Sequence, residues 1–220
     1  MAAALLMLGT IVDGTTAKAE LERIIAESKP TYLASYREFV KYGIEKPASQ
    51  KALLLPADTV IKGDLLLDFS EELEEKNVVA IVALGNLKVE GAIVNSNLEF
   101  GPMLFVAGNL EAKRIDKGGS FVATLGDVRL PGPALCEYNH GGLLIGGDLT
   151  TELLLNLDHD VTVSGKTIGV SLTLGTDDLR EALRPELFPD DDPENGCPDT
   201  KLLREHIAAG RPLLRQIAKP

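Results

Sequence analysis

The chain contains no tryptophan, and aromatic residues make up only 5% of it. Carbohydrate-processing sites lean on aromatic platforms, so that class of enzyme is disfavoured from the outset. Cysteine is as scarce. Cys136 and Cys197 are the only two, far apart and outside any CxxC or Cys–His ligand spacing. Neither a zinc site nor a disulfide framework is signalled, and reduced thiols fit a cytoplasmic setting. Positive charge is also in deficit: 22 Lys and Arg against 33 Asp and Glu leave a formal net charge of −11. A surface of that sign repels a phosphate backbone, which argues against direct nucleic-acid binding. No apolar run is long enough to span a bilayer. The opening "MAAALLMLGTIV" has no Lys or Arg before it and reads as a buried first strand or helix turn, with no expectation of a membrane partner. No cofactor motif stands out either. "GGLLIGG" lacks the GxGxxG spacing, and "SGKT" fails as a P-loop because Asp160 stands five residues before Gly165, where a glycine is required.

What is present is a core-forming chain of 220 residues, 45% hydrophobic, whose periodicity changes along its length. "TTAKAELERIIAES" places Leu21, Ile24 and Ile25 on one face behind a threonine cap and predicts a helix that Pro30 ends. "TYLASYREFVKYG" predicts a second, with Leu33, Tyr36, Phe39 and Val40 on one side. "TDDLREALRPELF" and "TKLLREHIAAGRPLLRQI" predict helices near the other end. The expected organisation is an N-terminal helical cap over 1–50, a repeat domain over 51–175, and a C-terminal helical segment with an acidic loop over 176–220.

Within 51–175, short runs of Val, Ile and Leu are broken by one recurring dipeptide: Gly63-Asp64, Gly85-Asn86, Gly108-Asn109, Gly126-Asp127 and Gly147-Asp148, with an echo at Gly165-Lys166. Successive glycines lie 22, 23, 18, 21 and 18 residues apart. Self-similarity near twenty residues marks a solenoid. The predicted class is mainly β, a parallel β-helix of about six rungs flanked by N- and C-terminal α-helices. Glycine is expected at each corner for its access to positive φ, and Asp or Asn for its tolerance of sharp turns. A left-handed hexapeptide helix lacks its aliphatic sixth position here, and an antiparallel sandwich would not repeat one corner in one context. The flanking helices are expected to cover the open ends of the rod.

Two groups of residues carry possible chemistry. His140 and His159 lie nineteen residues apart, about one rung, with Glu137, Asp158 and Asp160 nearby. They are candidate metal ligands or acid–base groups, although equivalent loops of adjacent rungs bonding exposed backbone account for them as well. His206, near the end of a predicted helix, reads as local. Acidic runs are the second group. "DFSEELEEK" holds Glu71, Glu72, Glu74 and Glu75, and 186–199 carries six acids and no base, among them Asp190, Asp191, Asp192 and Glu194. Such runs suit a surface that meets a basic protein.

The G-D/N-L corners, with "YNHGGLLIGGDL" and "LDHDV" one rung apart, resemble bacterial β-helical immunity-type proteins encoded beside polymorphic toxins, including secreted nuclease effectors. That resemblance, over roughly 52–175, implies a cytoplasmic protein without catalysis or cofactor, monomeric or a small oligomer when free. It would bind a cognate toxin, a nuclease, and occlude its active site through the acidic residues named above. The repeats also resemble bactofilins, which implies a polymerising scaffold as the alternative. A metal-dependent enzyme using His140 and His159 is the third possibility.

Overall fold

The structure, a computed structural model, describes residues 2–188 and 196–215. The chain enters through a short helix, α1 (Ala2–Leu6), and a strand, β1 (Thr10–Asp13). Two longer helices follow, α2 (Gly14–Ser28) and α3 (Leu33–Gly43). The Asp13 carboxylate caps α2 by accepting from the Thr16 amide at 2.9 Å, so the cap is aspartate and not the expected threonine.

The chain then coils. The first turn is β2 (Lys51–Leu55), β3 (Thr59–Ile61) and β4 (Leu65–Leu66), followed by a one-turn helix, α4 (Glu71–Glu75). The second is β5 (Val78–Ala83), β6 (Leu87–Val89) and β7 (Ile93–Asn95), and the third β8 (Met103–Val106), β9 (Leu110–Glu111) and β10 (Ile115–Lys117). The fourth is β11 (Phe121–Thr124), β12 (Val128–Leu130) and β13 (Ala134–Glu137). Beyond these turns of three separate strands, β14 (Gly142–Ile145) leads into the long β15 (Leu149–Leu157), and β16 (Asp160–Val163) into β17 (Thr167–Thr173). One sheet runs β1-β2-β5-β8-β11-β14-β16, parallel except for β1, which pairs antiparallel with β2. The other strands form the second sheet, where β15 spans both of its strand columns by pairing with β12 and then with β13. This is a parallel β-solenoid. Its inward side chains stack in columns, and Leu53, Ile81, Leu104, Val122, Leu143 and Val161 follow one another by direct register.

The recurring dipeptide forms a ladder. Asn86 Oδ1 accepts from the Asn109 amide (2.8 Å), Asn109 Oδ1 from Asp127 (2.9 Å), Asp127 Oδ1 from Asp148 (2.8 Å) and Asp148 Oδ1 from Lys166 (2.7 Å). The glycines stack beside them, each amide donating to the glycine carbonyl one turn below. None of Gly85, Gly108, Gly126, Gly147 or Gly165 has positive φ. Their role is close approach, because a Cβ on any of the last four would press into the Asx oxygen and glycine backbone of the preceding turn. Gly63-Asp64 stands outside this column. Gly63, at φ +80°, lies at the corner between β3 and β4, beneath Gly91. The ladder begins instead at Asp58, whose carboxylate accepts from Asn86 Nδ2 at 2.8 Å.

The longer helices lie along the sides of the solenoid, not over its ends as expected. Leu21, Ile25, Tyr36, Phe39 and Val40 of α2 and α3 pack on the outward residues of the first sheet, among them Ala80, Val82, Phe105, Ala123 and Leu144. The Tyr36 hydroxyl donates to the Thr124 carbonyl at 2.6 Å, and its ring meets Phe105 edge-on. Strands such as "MLFV" are therefore buried on both faces, which is why they read as unbroken apolar runs. On another flank, α5 (Leu179–Ala182), a 3₁₀ turn at Pro185–Leu187 and α6 (Thr200–Ala208) bury Leu179, Leu183, Leu187 and Leu203 against Leu135, Leu153, Leu155 and Leu172. Among the described helices, α1 and α4 are the two that lie near an end, contributing Leu5 and Leu73 to the interior core.

Two ion pairs made by one arginine pin α6. Arg204 donates through Nε to Asp116 at 3.2 Å and through Nη2 to Glu137 at 2.5 Å, with both carboxylates nearly buried. Burial pushes the Asp116 carboxyl up, against the lowering by Arg204. Arg204→Ala is expected to lower stability by about 2 kcal/mol, less than the loss of a fully buried pair because the guanidinium is partly solvated. Urea unfolding checks this, and an unchanged midpoint would mean that α6 is held by its leucines alone.

Candidate protein-binding surface

The acidic run Glu71, Glu72, Glu74 and Glu75 forms α4. Ser70 caps it, its hydroxyl accepting from the Leu73 amide at 3.4 Å. Leu73 is the residue that plugs into the core, so the four carboxylates are left at or near the surface. Its own helix-start backbone, and then Ser70, hold the Glu72 carboxyl below the usual range. Asp190, Asp191, Asp192 and Glu194, the other acidic group, lie outside the described residues.

Beside α4 is a groove that the sequence did not suggest. About 530 Å³ in volume, it is lined by Leu5 and Leu8 near α1, Val60 and Ile61 of β3, Leu65 and Leu66 of β4, and Phe69 and Leu73. Leu8, Val60 and Leu66 stay about 40% exposed (40%, 43% and 42%), and Met7 nearby is 85% exposed. Asp64, Asp68 and Glu72 stand on the rim with Lys62, whose ammonium is engaged by Glu90 at 2.5 Å. Asp68 is fixed by Asn95 Nδ2 (2.8 Å), the Asn97 amide (3.0 Å) and Ser96. Burial alone would raise its pKa, but these bonds outweigh it and hold the carboxyl low. The rim is therefore anionic around an apolar floor.

The two histidines are separated by environment. His140 is exposed on a shallower cleft of about 260 Å³ with Glu38, Tyr42, Phe121 and Asp160, and its ring meets Tyr138 edge-on at 4.7 Å. His159 is buried. Its Nδ1 meets the Tyr138 carbonyl and its Nε2 meets Lys117 Nζ, both at 2.5 Å. A proton on Nδ1 satisfies both contacts, with Nε2 accepting from the lysine. Neither ring nitrogen of His159 is left to ligate, so the pairing with His140 does not form a metal site. Among the described residues no group of three or more His, Cys, Asp and Glu is placed to hold a metal ion. His206 is buried in α6.

Lys117 is the residue that sequence reasoning missed. It is fully buried, and Nζ donates to the Gly118 carbonyl at 3.1 Å. Its neighbour in register is Cys136. Desolvation pulls the lysine down to about 8 and pushes the Cys136 thiol up to about 11, leaving it a poor nucleophile. Desolvation, followed by the Lys117 charge, pushes His159 down to about 4. The signal was present in strand parity, because in "RIDKGG" Lys117 shares the inward face of Ile115.

No family model, curated protein or solved structure matches the chain. No helix among the described residues is long and apolar enough to cross a membrane.

Proposed function

We propose that this protein is a non-catalytic binding protein that captures a basic partner protein through the surface around α4. The observation that carries this is the adjacency of the Glu71–Glu75 carboxylates to an apolar groove with an anionic rim. Specific interfaces combine an apolar centre with a polar rim, and charge of one sign speeds encounter with the other. With a net charge of −11, the whole surface adds to that steering. The resemblance to immunity-type proteins gives the partner a class: a nuclease toxin, whose nucleic-acid-binding surface is basic and would be occluded by an acidic mimic. The experiment is affinity capture from the native host with wild type and with a Glu71→Gln/Glu74→Gln/Glu75→Gln variant. The expected partner is basic, is released as salt rises, and binds the variant on the order of tenfold more weakly through a slower association rate. Equal binding of the variant, independent of salt, would overturn the proposal.

A polymerising scaffold is supported by one feature, the exposed final turn, where Ile168 and Val170 of β17 are 50% and 39% accessible. The opposite end of the first sheet is occupied by the antiparallel β1, which does not offer a matching parallel edge. Size-exclusion chromatography and electron microscopy at micromolar concentration separate the two, filaments favouring the scaffold.

A further inference from the structure

The groove at the first turn has more than charge to offer, and we infer that it docks one particular element of the partner: a short segment carrying a large apolar side chain between Lys or Arg residues. This rests on the capture of a basic partner proposed above and adds where, and by what, that partner is held.

The apolar floor is the mouth of the solenoid. Ile61, Leu65, Leu73 and Leu5 belong to the interior core, yet they line an open groove of about 530 Å³, a volume in the range of pockets that take ligand-sized groups. Leu8, Val60 and Leu66 add half-exposed apolar surface on its walls. Water covers this surface at a cost that burial of an apolar side chain removes.

Charge complementarity selects the occupant. Asp64, Asp68 and Glu72 stand on the rim, with Glu71, Glu74 and Glu75 on the adjoining helix. Lys62 is the basic residue lining the groove, and Glu90 already engages it. Asp64 and Asp68 already accept bonds from the neighbouring turn, but an acidic or neutral apolar segment would leave their charge and the glutamates of α4 uncompensated, whereas Lys or Arg flanking the apolar anchor meets them. The backbone supports an extended segment. Strands β3 and β4 end the two columns of their sheet, pairing only with β6 and β7, so each presents one unpaired edge of peptide groups among the described residues.

The test uses peptides as probes on the full chain. Random dodecapeptides displayed on phage are selected against wild type, and synthetic copies of enriched peptides are titrated against wild type, Leu66→Asp and Val60→Asp. Both residues are half-exposed, and unchanged melting temperatures confirm that the variants fold. Enriched peptides are expected to combine a large apolar residue with flanking Lys or Arg, and to bind either variant at least tenfold more weakly. The partner captured from the host should lose affinity for Leu66→Asp in parallel. Enrichment of acidic or wholly apolar peptides, no enrichment, or equal binding by both variants would overturn the inference. If the host partner binds Leu66→Asp normally but is weakened by the Glu→Gln variant, the groove fails as the docking site while capture by the acidic surface stands. If the peptides need the groove while the host partner ignores the glutamates, the earlier proposal fails instead.

Discussion

As the pH rises from 8 to 10.5, Lys117 is expected to contribute about 3 kcal/mol of added stability, which the raised Cys136 thiol partly offsets above pH 9. The lysine is fully buried and desolvated. In the folded chain its amine loses its proton near 8, against 10.5 when unfolded, so between those values the unfolded state holds more protons and stability climbs with pH. Below pH 8 the penalty of burying the ammonium is felt in full. His159 repeats the pattern at lower pH. Its folded value of about 4 lies under 6.5, so stability falls by a similar amount as pH drops from 6.5 towards 4. There the added proton places a second cation against Lys117 Nζ. Lys117→Met is expected to abolish the upper rise and, by removing the second-largest cause of the His159 shift, to shrink the acid loss. Urea unfolding of wild type, Lys117→Met and His159→Gln across both windows separates these contributions from the carboxylates and other lysines common to all three, and the same series on a Cys136→Ser background removes the opposing thiol. Parallel wild-type and Lys117→Met curves between pH 8 and 10.5 would sink the assignment.

Gly147→Ala is expected to destabilise the fold by about 3 kcal/mol or more. A Cβ there would meet the Gly126 carbonyl carbon and the Asp127 amide nitrogen, each at 2.9 Å, and Asp127 Oδ1. None of these atoms can retreat, because Gly147 N donates to Gly126 O at 3.0 Å and Asp148 N to Asp127 Oδ1 at 2.8 Å. The control is Gly175→Ala. Nothing lies within 4 Å of a Cβ at Gly175, and its φ of +83° leaves only the backbone strain of an L residue, roughly 1–2 kcal/mol. Thermal or urea melts should rank Gly147→Ala well below Gly175→Ala. The reverse order would return these glycines to the role of flexible turn residues.

The repeat and the solenoid it builds were legible because the spacing of Gly-Asx is imposed by the coil itself. The reason for glycine was not, since a tight turn and a close stack demand the same residue and only the dihedral separates them. Gly63 was misassigned for a related cause: a second corner uses the same dipeptide one column away. The lateral position of α2 and α3 was written in "MLFV" and "VVAIVA", which lack the polar alternation of a strand with one wet face. Reading the helices as end covers ignored that cue. For the candidate surface, the acidity of α4 was plain from composition, whereas the groove arises from residues between Leu5 and Leu73 that meet only when the first turn closes. The histidine pair failed for a similar reason. One-rung spacing placed them in neighbouring loops but could not say that His159 turns inward to Lys117.

The Asx ladder also bears on how long the rod can be. Asn109, Asp127 and Asp148 each do two things, donating the backbone amide to the turn before and offering the side-chain oxygen to the turn after. The Lys166 amide still donates to Asp148 Oδ1, but a lysine side chain has no oxygen to offer onward. The side-chain ladder therefore has a direction and passes no acceptor beyond residue 166, so a further turn there would be held by backbone pairing alone.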